Sequence, residues 1–341
     1  MRLMKFIPHN KLILWYYFYM AKLIVTGGAG FIGSNVVAAL NARGEGDIVI
    51  VDNLNHPLKE VHLSRMRYSA FVDKCAFRDE VRKGLHDDAV AVFHLGACSS
   101  TLERDWDYLL DNNVAYTKFL AEWCIAGNRR FIYASSAATY GNGEQGYSDD
   151  IAKIPSLKPL NLYGQSKQDF DLIAIENGWL DKIVGLKFFN VYGPNEDHKG
   201  DMRSLVHKAC AQIKKDGVMR LFKSYKPEYP DGGQVRDFVY VKDAVAEVMF
   251  FYDNPDKNGI FNCGTGHARS WVDLSRAVFR ALNIPENIEF IEMPLSLRDQ
   301  YQYFTEADMS KARAAGFTHE FTSLEDAIFD YVVNYIEKGI C

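Results

Sequence analysis

From Met20 onward the chain alternates short apolar runs with longer stretches in which apolar and polar residues recur at helical spacing. Leu23–Thr26, Ile48–Val51, Ala89–Leu95, Arg130–Ser135 and Ile183–Phe189 read as strands, and the spacing predicts helices over Phe31–Arg43, Trp106–Ala126 and Leu162–Glu176. Near-continuous apolar strands separated by helix-length segments are the pattern of a parallel sheet covered on both faces. The expected class is α/β, a doubly wound parallel sheet of the Rossmann type. After Asn190 the alternation breaks. Gly193–Gly200 and Ser224–Gln234 are rich in glycine, proline and charge, and helical patterns return at Ser204–Lys214, Trp271–Leu282 and Leu324–Ile336. Arg236–Asp243 and Ile260–Gly264 read as sheet that rejoins the core.

The first strand runs directly into glycines. Residues Lys22–Gly33 read Lys-Leu-Ile-Val-Thr-Gly-Gly-Ala-Gly-Phe-Ile-Gly, with a helix to follow. Gly27 suits the tight turn, Gly30 lets backbone approach a pyrophosphate, and Gly33 lets the helix pack on the strand, so helix N–H groups face an anion. The second strand ends in Asp52, where a ribose hydroxyl would sit. The strand at Ala89–Leu95 runs out in Leu95-Gly96-Ala97-Cys98-Ser99, small residues against which a dinucleotide could lie. The expected division is therefore a dinucleotide-binding domain from residues 20–190 plus about 236–264, and a smaller mixed α/β substrate lobe from about 191–235 plus 265–341.

Composition narrows the function. With 39 Lys+Arg against 44 Asp+Glu and a net charge of −5, the chain has no overall attraction for nucleic acid or an anionic membrane, so any phosphate binding must be local. The six cysteines Cys75, Cys98, Cys124, Cys210, Cys263 and Cys341 form no C-x-x-C, and no Cys/His quartet or H-E-x-x-H implies a metal. A reducing cytoplasm is expected. Leu12–Met20 is apolar and aromatic but too short to span a bilayer and lacks a small-residue cleavage site. Residues 1–19 are expected to be a dispensable or disordered extension, with Met20 as the working start.

Tyr163-Gly164-Gln165-Ser166-Lys167 opens a predicted helix, putting Tyr163 and Lys167 one turn apart on one face. An ammonium there favours the phenolate and makes Tyr163 a usable base. Ser136, at the end of Tyr133-Ala134-Ser135-Ser136, is placed to bond a substrate hydroxyl or carbonyl beside it.

These motifs resemble the extended short-chain dehydrogenase/reductases, whose G-x-x-G-x-x-G loop and Ser/Tyr/Lys set match Gly27, Gly30, Gly33, Ser136, Tyr163 and Lys167. The nucleotide-sugar dehydratases of that superfamily carry Asp-Glu after the serine or threonine. Ala137 and Ala138 stand there in this chain, which leaves epimerases and simple reductases. Phe188–Gly200, Arg298–Thr305, Gly96–Ser100 and Ala134–Gly141 further resemble the ADP-heptose 6-epimerase family. The resemblance implies hydride removal from C6 of an ADP-sugar to bound NADP, a ketone that turns in the site, and hydride return to its other face. The two bases would be Tyr163 and Lys199, the latter with a desolvated or cation-flanked ammonium. By the same carry-over, Phe31, Ile32, Asn53, Lys59, Lys74, Asn112, Asn190 and Val191 contact the cofactor or frame its pocket. Ser136, Asn190, Asp201, Phe222, Lys223, Ser224, Tyr225, Arg236 and Tyr301 would hold the substrate. Asp201 stands where a serine is common in the family, and Lys226–Gln234 is an added stretch. Asp52 by itself favours NAD, whereas the family pairs the acid with an asparagine and a lysine, here Asn53 and Lys59, and takes NADP. A homo-oligomer, pentameric in the family, is implied. The alternatives are another nucleotide-sugar epimerase, an NADPH-dependent sugar reductase, or a non-catalytic dinucleotide-sensing protein on the same fold.

Overall fold

The computed structural model describes residues 21–298 and 301–340, so the expected extension at 1–19 lies outside the described residues. The first half builds β1 (Lys22–Thr26), α1 (Phe31–Ala42), β2 (Ile48–Asp52), α2 (Pro57–Ser64), β3 (Ala70–Asp73), α3 (Lys74–Arg82), β4 (Ala89–His94), α4 (Trp106–Leu109), α5 (Tyr116–Ala126), β5 (Arg130–Ser136), α6 (Leu162–Glu176) and β6 (Ile183–Phe188). A seven-stranded sheet runs in the order β11-β6-β5-β4-β1-β2-β3, where β11 is Gly259–Cys263. Every pairing in it is parallel. Strand residues alternate between two buried faces: Leu23 and Val25 pack in one core, Ile24 in the other, and all three are fully buried. That burial on both sides is why β1 and β2 read as unbroken apolar runs.

Chain order reverses at β1, with β2 on one side and β4 on the other, opening a crevice at the carboxyl ends of these strands. The second half contributes β7 (Asn190–Tyr192), α7 (Leu205–Asp216), β8 (Met219–Phe222), β9 (Val235–Arg236), β10 (Phe238–Tyr240), α8 (Val241–Asp253), β12 (Arg269–Ser270), α9 (Trp271–Leu282) and β13 (Ile288–Ile291). Its strands make three two-stranded sheets, β10-β7, β12-β9 and β13-β8.

Several expectations need correction. Trp106–Ala126 is not one regular helix: a π-helical turn at Leu110–Ala115 interrupts it. Arg236–Asp243 does not rejoin the main sheet; its two short strands pair with β12 and β7, and helix α8 begins at Val241. Ile260–Gly264 does return, as β11 beside β6. The short strand β3 and its flanking helices α2 and α3 are elements that the sequence expectations above do not include.

Candidate active site

The loop after β1 is shaped by backbone contact. Gly27 has φ of +68°, and a Cβ on it would fall 2.6 Å from the Gly96 nitrogen; on Gly33 it would fall 2.1 Å from the Gly27 carbonyl oxygen. Side chains at either position would push the β4 loop or α1 away. Gly30 caps α1, which has no acidic residue in its first turn, so the helix N-terminus presents its unopposed N–H groups. A cleft of about 610 Å³ opens there.

The structure brings the expected cofactor set, Asn190 excepted, to this one cleft. Gly27, Gly30, Phe31, Ile32 and Gly33 line it from the loop and α1, and Asp52, Asn53 and Lys59 from the end of β2 and α2. Lys74, Leu95, Gly96, Ala97, Cys98, Ser99 and Asn112 follow, then Val191. Asp52 is fully engaged: its carboxylate accepts from the backbone N–H of Ala29 at 3.0 Å and of Asn53 at 2.8 Å, and from Lys59 Nζ at 2.9 Å. Lys59 also donates to the Asn53 side-chain oxygen at 3.0 Å. Across the cleft, Lys74 donates to Asn112 Oδ1 at 3.0 Å, and the π turn holds Asn113 against the Cys98 backbone through bonds of 2.8 and 2.9 Å. π turns recur at functional sites because the extra residue re-aims side chains. A glycine cradle, a helix N-terminus and Lys59 just beyond the end of β2 are a donor set that fits a nicotinamide dinucleotide.

Ser136, Tyr163, Lys167 and Lys199 line the same cleft. Ser136 ends β5 and Tyr163 opens α6, where Asn161 caps the helix by accepting from the Gly164 N–H at 2.8 Å. Burial pushes the Tyr163 phenol above its ordinary pKa, opposed by its hydrogen bond with Ser136. The expected lowering by Lys167 is absent from this balance. Lys167 Nζ instead donates to the Ala134 carbonyl at 2.8 Å, and burial lowers its pKa to about 8. Lys199, in a short helical turn at Asp197–Met202, lies 5.1 Å from the Phe31 ring centroid. Its pKa is lowered, first by burial and then by the Lys208 cation, against the pull of Glu196. Ser135 also lines the cleft, but its hydroxyl donates to Asp171 at 2.8 Å inside the core.

A model of the NAD dependent epimerase/dehydratase family matches residues 23–264. The chain belongs to that family. It is 56% identical to the ADP-L-glycero-D-manno-heptose-6-epimerase of Nitratidesulfovibrio vulgaris over 314 residues, covering 92% of this chain and 97% of the relative. With the enzyme of the same name from Fusobacterium nucleatum it shares 49% over 326 residues, 93% of this chain and 98% of the relative. Among solved structures, the Helicobacter pylori ADP-L-glycero-D-manno-heptose-6-epimerase has the same fold, with a TM-score of 0.77 at 23% identity over 97% of this chain and 99% of that one. The Thermus thermophilus UDP-glucose 4-epimerase, solved in complex with NAD, gives 0.72 at 24% over 92% and 98%.

In this epimerase the expected substrate residues, Ser136 excepted, stand outside the cleft lining. Arg236 is buried under two aromatic rings, its guanidinium 5.5 Å from the Trp271 centroid and 5.6 Å from that of Tyr301, and Tyr301 meets Phe222 edge-on at 6.2 Å. Lys223 instead pairs with Glu292 at 2.8 Å, and the Tyr225 hydroxyl also bonds Glu292. Ser224 takes Asp231 as partner through its N–H at 2.7 Å, within the added stretch. Asn190 and Asp201 are exposed. Asp243, in the first turn of α8, accepts from His319, Thr322 N–H and the Thr322 hydroxyl.

Sequence reasoning missed His56 and His198, which also line the cleft. The His198 ring lies 5.4 Å from that of His62, and burial with the nearby cations lowers its pKa to about 4. No periodic signal marks such residues, since they sit on short turns rather than on a regular face. Among the described residues, no group of three or more His, Cys, Asp or Glu is placed to hold a metal, and no helix is long and apolar enough to cross a membrane.

Proposed function

We propose that the protein interconverts ADP-D-glycero-β-D-manno-heptose and ADP-L-glycero-β-D-manno-heptose at C6, supplying the activated heptose for the inner core of lipopolysaccharide. The observation that carries this reading is that Tyr163 and Lys199 line one cleft from opposite parts of the chain, each half-buried and each able to hold or release a proton. The 56% identity to an enzyme of that name supports the sugar. A bound dinucleotide supplies a hydride acceptor and donor. Tyr163 takes or gives the C6 hydroxyl proton for one epimer and Lys199 for the other. Ser136 bonds both the reacting oxygen and the phenol, and Lys167 orients the ribose and supplies positive charge.

The cofactor on this reading is NADP. Asp52, paired with Lys59 and capped by two N–H groups, no longer presents an unopposed negative charge to a 2′-phosphate, while Lys59, Asn53 and His56 offer donors. The main sheet with β11 would form the dinucleotide domain, and Arg236, Tyr301 and Phe222 would grip the ADP-sugar from the smaller lobe. A cytoplasmic homo-oligomer completes the proposal. Conversion of the ADP-heptose by the purified protein without added cofactor tests it against a reductase, which would need fresh NADPH for each turnover.

A further inference from the structure

Behind the cleft lies a buried ionic knot, of whose side-chain members only Ser135 lines the open space. Asp171 on α6 and Lys187 on β6 are both wholly inaccessible, with Oδ2 and Nζ 2.6 Å apart. The Asp171 carboxylate also accepts from the Tyr133 hydroxyl at 2.9 Å and the Ser135 hydroxyl at 2.8 Å. Lys187 Nζ donates a second bond, to Thr139 Oγ1 at 2.8 Å, and the Thr139 hydroxyl donates to the Ser136 carbonyl at 2.8 Å. A chain of three contacts thus runs from Asp171 to the backbone of Ser136. Asp171 also stands one helical turn beyond Lys167 on α6.

A buried ion pair is a poor device for stability alone, because desolvating two charges offsets their attraction and a well-packed apolar pair often does as well. We infer that the Asp171–Lys187 pair is a positioning device for the reacting groups, fixing Ser136 through Thr139 and setting the field in which Lys167 holds its proton. This inference rests on the reading of Ser136, Tyr163 and Lys167 as those groups. Lys167 is faced by Asp171 and Tyr163 from its own helix, by Cys98 from the loop after β4, by His94 from β4, and by the Ala134 carbonyl from β5. Asp171 is faced by Lys187, Tyr133 and Ser135, and by Tyr140 from the turn after β5. Of the charges around Lys167, Asp171 is the one that most favours the ammonium. Removing it lowers the pH at which Lys167 loses its proton.

The test is the double variant Asp171→Asn/Lys187→Met, which removes both charges together, with folding checked by thermal melting and by retained dinucleotide. The alkaline limb of its kcat–pH profile moves to lower pH by about one unit, while the acid limb and KM stay. Thr139→Val, which leaves the pair intact, lowers kcat about tenfold at unchanged KM. Thr139→Ser restores it. If the folded double variant keeps the parent's profile, or loses rate equally at every pH, the pair is only structural and the inference is overturned; if the double variant does not fold, the Thr139 series decides. Failure of the functional reading is a separate result, seen as no turnover by the parent enzyme. An NMR titration of the Lys167 ammonium in the holoprotein, assigned against Lys167→Arg, then reads the same field without substrate. There the pair's removal moves the Lys167 step to lower pH, and an unmoved step overturns the inference.

Discussion

Lys59 Nζ stands 2.9 Å from Asp52 Oδ1, so the acid that ends β2 carries its own counter-ion. An aspartate at this place ordinarily accepts from a ribose 2′-hydroxyl and repels a 2′-phosphate. Here the same lysine cancels that repulsion and reaches Asn53. Lys59→Ala is expected to weaken NADPH binding by about tenfold to a hundredfold, the value of one charge-assisted bond, and to leave NADH binding within a small factor. Parallel titrations of the two cofactors, after removal of bound dinucleotide, check this. Equal losses for both would assign Lys59 a structural role instead.

His94 sits beneath the cleft as a neutral imidazole whose proton position can be deduced. The Thr117 hydroxyl donates to the Asn113 carbonyl at 2.6 Å, so it must accept from His94 Nε2, and His94 Nδ1 then accepts from Thr26 Oγ1 at 2.7 Å. Burial, with the Lys167 cation next, lowers the His94 pKa from 6.5 to about 3. The folded state therefore binds fewer protons than the unfolded chain between those values. Stability should fall as the pH drops below about 6.5 and keep falling towards about 3, by on the order of a few kcal/mol. Urea unfolding across that range, compared with His94→Gln, measures it. A variant as acid-sensitive as the parent would rule His94 out as the cause.

The activity should also have an alkaline limit. Burial holds Lys167 at about 8, so the ammonium beside Tyr163 is full below that pH and is lost as the pH rises through it. kcat is expected to fall above about pH 8, and Lys167→Arg, which stays charged, should flatten that limb even if its rate is lower throughout. A limb that persists in Lys167→Arg would point to another group.

Two bases on two faces of one ketone predict paired losses. Tyr163→Phe and Lys199→Met should each lower epimerisation by about a hundredfold to ten-thousandfold while cofactor stays bound. Steady-state rates from each epimer, with dinucleotide content measured on the same sample, check this. Full activity of Lys199→Met in both directions would remove it from the mechanism.

Parts of the site legible in sequence are those set by local backbone constraints. Gly27 and Gly33 can be read because a Cβ at either would strike backbone at 2.6 or 2.1 Å, and no compensation elsewhere relieves that. The Tyr163–Lys167 spacing can be read because α6 starts at Leu162 behind a good Asn161 cap. Lys199 is singled out by family resemblance alone, since its burial depends on Phe31 from a distant helix. The π turn at Leu110–Ala115 is not marked in the sequence, because Trp106–Ala126 carries no glycine or proline to signal a break. Ser136 is preferred to Ser135 in the sequence by family resemblance alone; in three dimensions Asp171 engages the Ser135 hydroxyl. The strand-like run after Arg236 misleads because apolar Phe238–Val241 is buried among small sheets rather than paired in the main one.

The most direct test of the central claim is to incubate the purified protein, with no added cofactor, with ADP-D-glycero-β-D-manno-heptose in deuterated water and follow C6 by NMR. The account predicts approach to a mixture of the two C6 epimers with no deuterium at C6, because the abstracted hydride returns to the same carbon. Deuterium incorporation at C6, or no conversion by protein that retains its dinucleotide, would contradict it.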